Sequence, residues 1–554
     1  MNMKKWLLTG ACISMFGAFS ACSEDPSSPQ EESSSSTLSS GSVPPTSSDG
    51  TSAANPNSSS AVAPVSSSIA DTDNPQMGCS EIMYNAAEGS DLEWIEIYIA
   101  GGRDIDNMQN YLLHLSGAVD YTFPAEPLKK GEYVVIANDL DAFRAAYPQF
   151  TGRLFGPWTG GKTVKLPNEG DVVNVKISGE GDVSCAFGNE PPWPSLADGK
   201  GRTLVHVSGN AAQPNSWAAS KTPNGNPGVG NDEWVAPTKV RINEIKPFKI
   251  GEDSWVEIYN AGDQAVDLTG WTLEVKRRKQ TLTIKSGTVP PKDYLVLDAA
   301  TAFDDELIVA PEGGELYLRG PQEGDESSIW VPASNSVSGI IDLSDGSTAQ
   351  GPLATPTPGA ANSALKMGSV YINEIHYHPD EGSGVPFEFV ELVNNSDQDI
   401  TLYSSTANKG WKVEGINLEF SSMQFPAKSM MLLIPAELEA EVVAATGLTN
   451  WGPDLVRQSF SIPETVKIVT YSGKLSNRSE TIAVKEPYSR EESKSAPSGY
   501  IYFYVWHDAT LYSDNWPGLT EADGMGYSLQ RVNTETMGYE ASAWKAAEPT
   551  PGKL

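Results

Sequence analysis

Residues Ile242 to Leu273 read INEIKPFKIGEDSWVEIYNAGDQAVDLTGWTL, and the fold turns on how this stretch is parsed. Two short apolar runs, Ile242–Ile245 and Trp255–Tyr259, flank a turn of Lys, Gly, Glu and Asp. A second polar turn, Asn260–Gln264, then leads into Val266–Leu273. Apolar and aromatic blocks this short, punctuated by Gly, Asn and Asp, predict antiparallel strands of a sandwich and not a helix. The phrase recurs upstream from Ser80 as SEIMYNAAEGSDLEWIEIYIAGG and downstream from Ile372 as INEIHYHPDEGSGVPFEFVELVNNSDQDITL. Each copy opens on one glutamate (Glu81, Glu244, Glu374) and carries a second in the next strand (Glu96, Glu257, Glu391). Only the turn between them changes length.

This pattern resembles the lamin-tail domain, an immunoglobulin-like β-sandwich found in nuclear lamins and on exported bacterial proteins. The resemblance rests on the NEI openings (Asn243–Ile245, Asn373–Ile375, with Ser80–Ile82 in the first copy), the W-x-E-I-Y type strand and DLTGW at Asp267–Trp271. Closing motifs agree: Trp193-Pro194 and Trp516-Pro517, DG-x-G at Asp198–Gly201 and Asp523–Gly526, and the turns Thr357-Pro358-Gly359 and Thr550-Pro551-Gly552. Copy two lacks the WP pair and the full DG-x-G. The fold class implied is all-β, three tandem immunoglobulin-like sandwiches over 78–232, 234–363 and 367–554. Such folds carry no chemistry of their own.

The N-terminus has a different character. Lys4 and Lys5 precede an apolar run from Trp6 to Phe19 and then Ser20-Ala21-Cys22, which describes an export signal over 1–22 ending in a bacterial lipobox. The run is too short for a permanent transmembrane helix. Cys22 is therefore the expected lipidation site and the membrane the expected attachment. From Ser23 to Met77 the chain is Ser, Pro, Thr, Ala, Glu and Asp with few large apolar residues, so a disordered tether with a reach of roughly 40 Å is expected. Cys79 and Cys185 both fall in the first copy, and in an oxidising compartment they are expected to form a disulfide. A formal charge of −33 argues against nucleic acid or anionic lipid surfaces as partners.

Along the folded part, Leu140, Phe143, Ala146 and Tyr147 fall at helical spacing and predict one short helix in copy one. Lys221–Gly230 reads as a Gly/Pro/Asn-rich tail, and Thr348–Asn362 as a Pro/Gly/Ala linker. The distinctive piece of copy three is GYIYFYVWHD at Gly499–Asp508. Alternation places Tyr500, Tyr502, Tyr504 and Trp506 on one face and Ile501, Phe503 and Val505 on the other, one of which is expected to be core. The four rings are the expected ligand-binding stripe, suited to a sugar or a protein partner.

Other polar residues also have the composition of chemical sites. The glutamate pairs have the composition of a glycosidase site, yet each second Glu lies within an apolar strand, which favours a structural role accepting hydrogen bonds. His376 and His378 form an H-x-H beside Asp380 and Glu381, a pattern known from zinc sites. The matching positions are Met83 and Asn85, then Lys246 and Phe248, so packing is expected instead. Acidic turns at Asp253, Asp263, Asp267, Asp397 and Asp399 offer oxygen ligands for Ca²⁺ but lack EF-hand spacing. No catalytic residue and no cofactor is expected. The resulting expectation is a non-enzymatic lipoprotein of the bacterial outer membrane or cell surface, serving adhesion, scaffolding or display toward a protein or polysaccharide partner. The alternatives are a carbohydrate-binding surface protein using the aromatic stripe and an extracellular hydrolase using the paired glutamates.

Overall fold

The computed structural model describes residues 75–553 apart from 88–91, 178–179, 231–232, 250–251, 335, 381–383, 439, 495 and 497. The export signal, Cys22, most of the tether and Glu381 lie outside the described residues. The tether boundary needs correction at its end. Gln76–Met83 is already a strand, because Met77 is apolar enough to bury in the first core.

The molecule is nearly all β, and the repeated phrase forms the central hairpin of three separate sheets. In the first, Gln76–Met83 and Trp94–Gly101 lie inside a six-stranded sheet between Leu204–His206 and Tyr133–Ala137. In the second, Val240–Lys246 and Trp255–Asn260 lie between Ser338–Asp342 and Tyr294–Asp298. In the third, Val370–His376 and Phe389–Asn394 lie between Ser528–Arg531 and Ser429–Pro435. Each sheet faces a four-stranded sheet across its own apolar core, for example Ile82, Ile95 and Ile97 against Leu115, Val173 and Val175. Two-layer packing of this kind buries the inward residues of both sheets and leaves their outer faces polar.

Each hairpin carries a β-bulge at one place. Pairing runs Ile242↔Ile258 and then Glu244↔Glu257, so Asn243 is an extra residue, and Ser80 and Asn373 are its counterparts. The extra residue shifts the alternation. Ile242 and Ile245 therefore both reach the core although they are three apart, and the two glutamates come to lie opposite each other.

The helix in copy one runs Leu140–Ala146, capped by the Asp139 carboxylate accepting from Asp141 N (3.0 Å) and Ala142 N (3.1 Å). Phe143 anchors it against Trp94. It bridges Tyr133–Ala137 to a parallel neighbour, Arg153–Phe155. Copy three elaborates the same crossover with two helices, Ala440–Thr446 and Pro453–Phe460, before the parallel strand Lys467–Tyr471.

The expected linker Thr348–Asn362 is also corrected. Thr348–Pro352 is an edge strand paired with Ser338–Asp342, since Ala349 and Leu353 are buried against the next sandwich. Cys79 and Cys185 are bonded, with Cα atoms 6.2 Å apart, and tie the two sheets of the first sandwich together through the core.

Candidate functional site

The six repeated glutamates are wholly buried and occupied by the chain itself. Each first glutamate receives the backbone N–H two residues before the glycine of a closing turn. Thr357 N donates to both Glu244 oxygens at 3.1 Å, Thr550 N to Glu374 Oε1 at 2.9 Å, and Asn226 N to Glu81 at 3.3 and 3.4 Å. The threonine hydroxyls add bonds of 3.0 and 2.8 Å. Each second glutamate receives the glycine N–H of that turn, from Gly228, Gly359 and Gly552, the last at 2.9 Å. The bulge residue supplies a further donor: Ser80 Oγ to Glu96, Asn243 Nδ2 to Glu257 (2.9 Å) and Asn373 Nδ2 to Glu391 (2.7 Å). The asparagine of NEI and the proline–glycine of the last turn are thus two halves of one clamp. Burial pushes Glu96 up to about 7, and burial together with nearby Glu374 pushes Glu391 up to about 8. Glu244 and Glu257 are also raised, chiefly by burial.

A further acid, not singled out in the sequence, sits three residues before the second glutamate in copies one and three. Glu93 accepts from Leu166 N at 2.9 Å, and Glu388 accepts from Tyr471 Oη at 2.7 Å and Leu475 N at 2.9 Å. Copy two has Ser254 there.

The H-x-H pair is divided between two structural tasks. His376 is fully buried, its Nδ1 is 2.9 Å from Phe387 O, and burial lowers it to about 4. His378 Nδ1 lies 2.6 Å from Asp523 Oδ1, as Asn85 Nδ2 donates to Asp198 Oδ1 at 2.6 Å in copy one, so both positions dock the DG-x-G turn. Four of the five acidic-turn residues are occupied as well. Asp263 pairs with Lys292 (3.3 Å) and Asp397 with Lys428 (3.3 Å), while Asp267 and Asp399 cap backbone N–H groups at 2.9 Å. Among the described residues, no group of three or more His, Cys, Asp or Glu could hold a metal ion.

The aromatic stripe lies on strand Tyr500–Ser513, which pairs along its length with Ser479–Glu492. The expectation that one of its faces is core is corrected. The pairing skips His507, passing from Asp508↔Val484 to Trp506↔Lys485, and this bulge ends the core register. Beyond it, the two strands form a ribbon in which Tyr500, Tyr502, Tyr504 and Trp506 are half-buried. A cation covers each ring: Arg490 over Tyr500 (4.2 Å), Lys409 over Tyr502 (4.8 Å), Lys412 over Tyr504 (4.6 Å) and Lys485 over Trp506 (4.7 Å). Glu414 bridges Lys412 (2.8 Å) and Lys485. One face of every ring is therefore taken. The opposite side of the ribbon meets the second sandwich, with Arg277 4.5 Å over Phe503 and Ala333 N donating to Tyr504 O at 2.9 Å.

The three sandwiches touch pairwise. Ser195 Oγ and Arg202 Nη2 of the first each donate at 2.6 Å, to Glu326 and Glu323 of the second. An apolar seam of Val337, Leu353, Leu365, Ala483, Ala509 and Met537 joins the second to the third. Ser184 and Ser476 hydroxyls lie 3.1 Å apart across the first and third, beside a cavity of about 410 Å³.

These features define a class: an all-β protein of immunoglobulin-like sandwiches whose repeated acids are internal fastenings. Within it, residues 235–345 match the family model described as Lamin Tail Domain. The match ends between Ser338–Asp342 and Thr348–Pro352, so the closing turn at Thr357–Gly359 lies beyond it. No curated protein and no solved structure matches the chain.

Proposed function

We propose that this chain is a non-enzymatic lipoprotein of the bacterial outer membrane or cell surface. In this reading Cys22 carries the lipid, residues 23–75 form the tether, and lamin-tail-like units within 78–232, 234–363 and 367–554 form one body for adhesion, scaffolding or display. The observation that carries it is the clamp. A glycosidase requires two carboxyl groups facing a substrate across a gap, whereas all six repeated glutamates are buried and bound to backbone or side-chain donors of their own unit. The pairwise seams favour a rigid display body over three beads on a string. A formal charge of −33 keeps such a body soluble beside an anionic surface.

The test is fractionation of cells expressing the full chain or its Cys22→Ser variant, combined with crosslinking and identification of captured partners. Membrane retention of the parent, release of the variant and capture of envelope components support the proposal. Equal partition of the two chains refutes the anchor. Hydrolysis of a polymer that is lost in Glu391→Gln refutes the non-enzymatic role.

A further inference from the structure

The cavity between the first and third sandwiches has the makings of a ligand site. Its walls come from the strands Gly170–Ile177 and Glu180–Gly188, the following Pro-rich turn with Trp193, and the segment Lys474–Thr481. At about 410 Å³ it is within the range of small-molecule sites. Trp193, from the first WP pair, lines it and is half-buried, with its ring seated against Gly188. The lining also includes short polar side chains that both donate and accept: Asn174, Ser184, Ser476 and Asn477. Ser184 already spans the seam, donating to Asn174 Oδ1 at 2.8 Å and lying 3.1 Å from the Ser476 hydroxyl.

Charge narrows the ligand class. Four acids, Glu169, Asp171, Glu190 and Glu480, line the cavity against one cation, Lys474, so the balance of charge disfavours phosphate or carboxylate ligands. These acids do not converge as a metal group. Burial raises the Glu190 carboxyl above its ordinary value, against the opposing pull of Lys485 and Lys412. Glu480 accepts from Ser476 N at 3.1 Å, and burial pushes it up to about 8. An indole face with clustered hydroxyl, amide and carboxyl groups suits a ring that is apolar on its faces and hydroxylated at its rim.

We propose that this inter-sandwich cavity binds a neutral sugar residue of an oligosaccharide, with Trp193 as the platform and Asn174, Ser184, Ser476 and Glu480 as hydroxyl partners. The site exists only where two sandwiches meet, so the seam between them is itself functional. It is separate from the aromatic ribbon.

The experiment is isothermal titration of the full chain with cellotetraose, xylotetraose, maltotetraose and chitotetraose, repeated with CaCl₂. The expected result is saturable binding of at least one of the four. That binding should weaken at least tenfold in Ala212→Phe, which fills the cavity from its wall, and in Asn174→Ala, which removes a hydroxyl partner without adding bulk. Both variants are first checked for an unchanged melting transition, and Tyr502→Ala serves as the ribbon control. No saturation by any tetrasaccharide to 10 mM overturns the proposal. So does binding that survives both cavity variants, binding lost only in Tyr502→Ala, or a response to Ca²⁺ alone.

Discussion

The clamp at Glu391 makes a quantitative demand on stability against pH. Its carboxyl is pushed from 4.5 up to about 8 in the folded chain by burial and by Glu374, against the opposing pull of Asn373 Nδ2 and Gly552 N. A folded pKa above the unfolded one means that the native state holds the proton more tightly. This stabilising contribution is fully present below about 4.5 and is lost progressively as pH rises toward 8. One proton corresponds to about 1.4 kcal/mol per pH unit, so roughly 3 kcal/mol is lost between pH 5 and pH 7.5. Glu391→Gln removes the titration and keeps the shape. Its amide nitrogen must face one of the two N–H donors, which costs about 1–3 kcal/mol at every pH. The parent loses this roughly 3 kcal/mol and the variant does not, so the variant is expected to be level with or below the parent at pH 5, to cross it as pH rises, and to be the more stable of the two near pH 8. Urea unfolding across pH 5–8, read by hydrogen exchange in peptides covering Val370–Asn394 and Trp544–Lys553, isolates the third sandwich from its neighbours. A constant offset between parent and variant across that range would refute the reasoning, because it would mean that Glu391 does not change its charge there.

Other consequences follow from contacts already described. Glu374→Ala strands Thr550 N and its hydroxyl and is expected to cost about 3 kcal/mol, read as lost protection of the C-terminal peptide. Loss smaller than 1 kcal/mol would deny the clamp its role. Removing the Cys79–Cys185 bond opens a loop of 106 residues and should destabilise the first sandwich by about 4 kcal/mol, seen as a lower unfolding midpoint in peptides of that sandwich alone. Asp508 and Arg531 form an ion pair at 3.2 Å with no solvent exposure of either side chain. Arg531→Met alone is expected to cost about 3–5 kcal/mol by leaving a buried charge, and adding Asp508→Asn should recover part of it in a double-mutant cycle.

Much of this architecture was legible because the phrase is written three times. Strand-length apolar blocks separated by Gly, Asn and Asp have one economical reading, and the helix over Leu140–Ala146 announced itself by spacing, its Asp139 cap emerging only in the structure. The bulge was harder. Ile242 and Ile245 are three apart, a spacing that neither strict alternation nor a short strand explains, and only an inserted Asn243 puts both in the core. Two closing turns were visible as Pro-Gly pairs at Pro358 and Pro551, while the one at Pro227 was hidden in a Gly/Pro/Asn-rich tail; their partners lie more than a hundred residues away and no local rule connects them. The ribbon misled for a related reason. Alternation from Tyr500 to Trp506 is real, yet the register fault at His507 decides which side faces the core, and such a fault leaves no mark in residue type. The cavity at Trp193 belongs to two sandwiches at once and is invisible to any reading of one.

The fastenings also explain why an acidic chain of this kind can place carboxylates inside its sheets. A buried glutamate is costly when alone. Here each sits where a bulge and a closing turn both present donors, and the turn arrives from the end of the unit. Asn226 reaches back 145 residues to Glu81, Thr357 113 to Glu244 and Thr550 176 to Glu374. The opening strand of each unit is therefore satisfied only when its last residues are in place, which makes every unit dependent on its most distant contact. Long-range closure of this type slows folding. It also gives the unit a definite end: a chain interrupted before the Pro-Gly turn retains orphaned carboxylates in its first hairpin. The repeated acids thus act on the completeness of the fold, and the polar groups left over for a ligand are those at the seams, where no closing turn reaches.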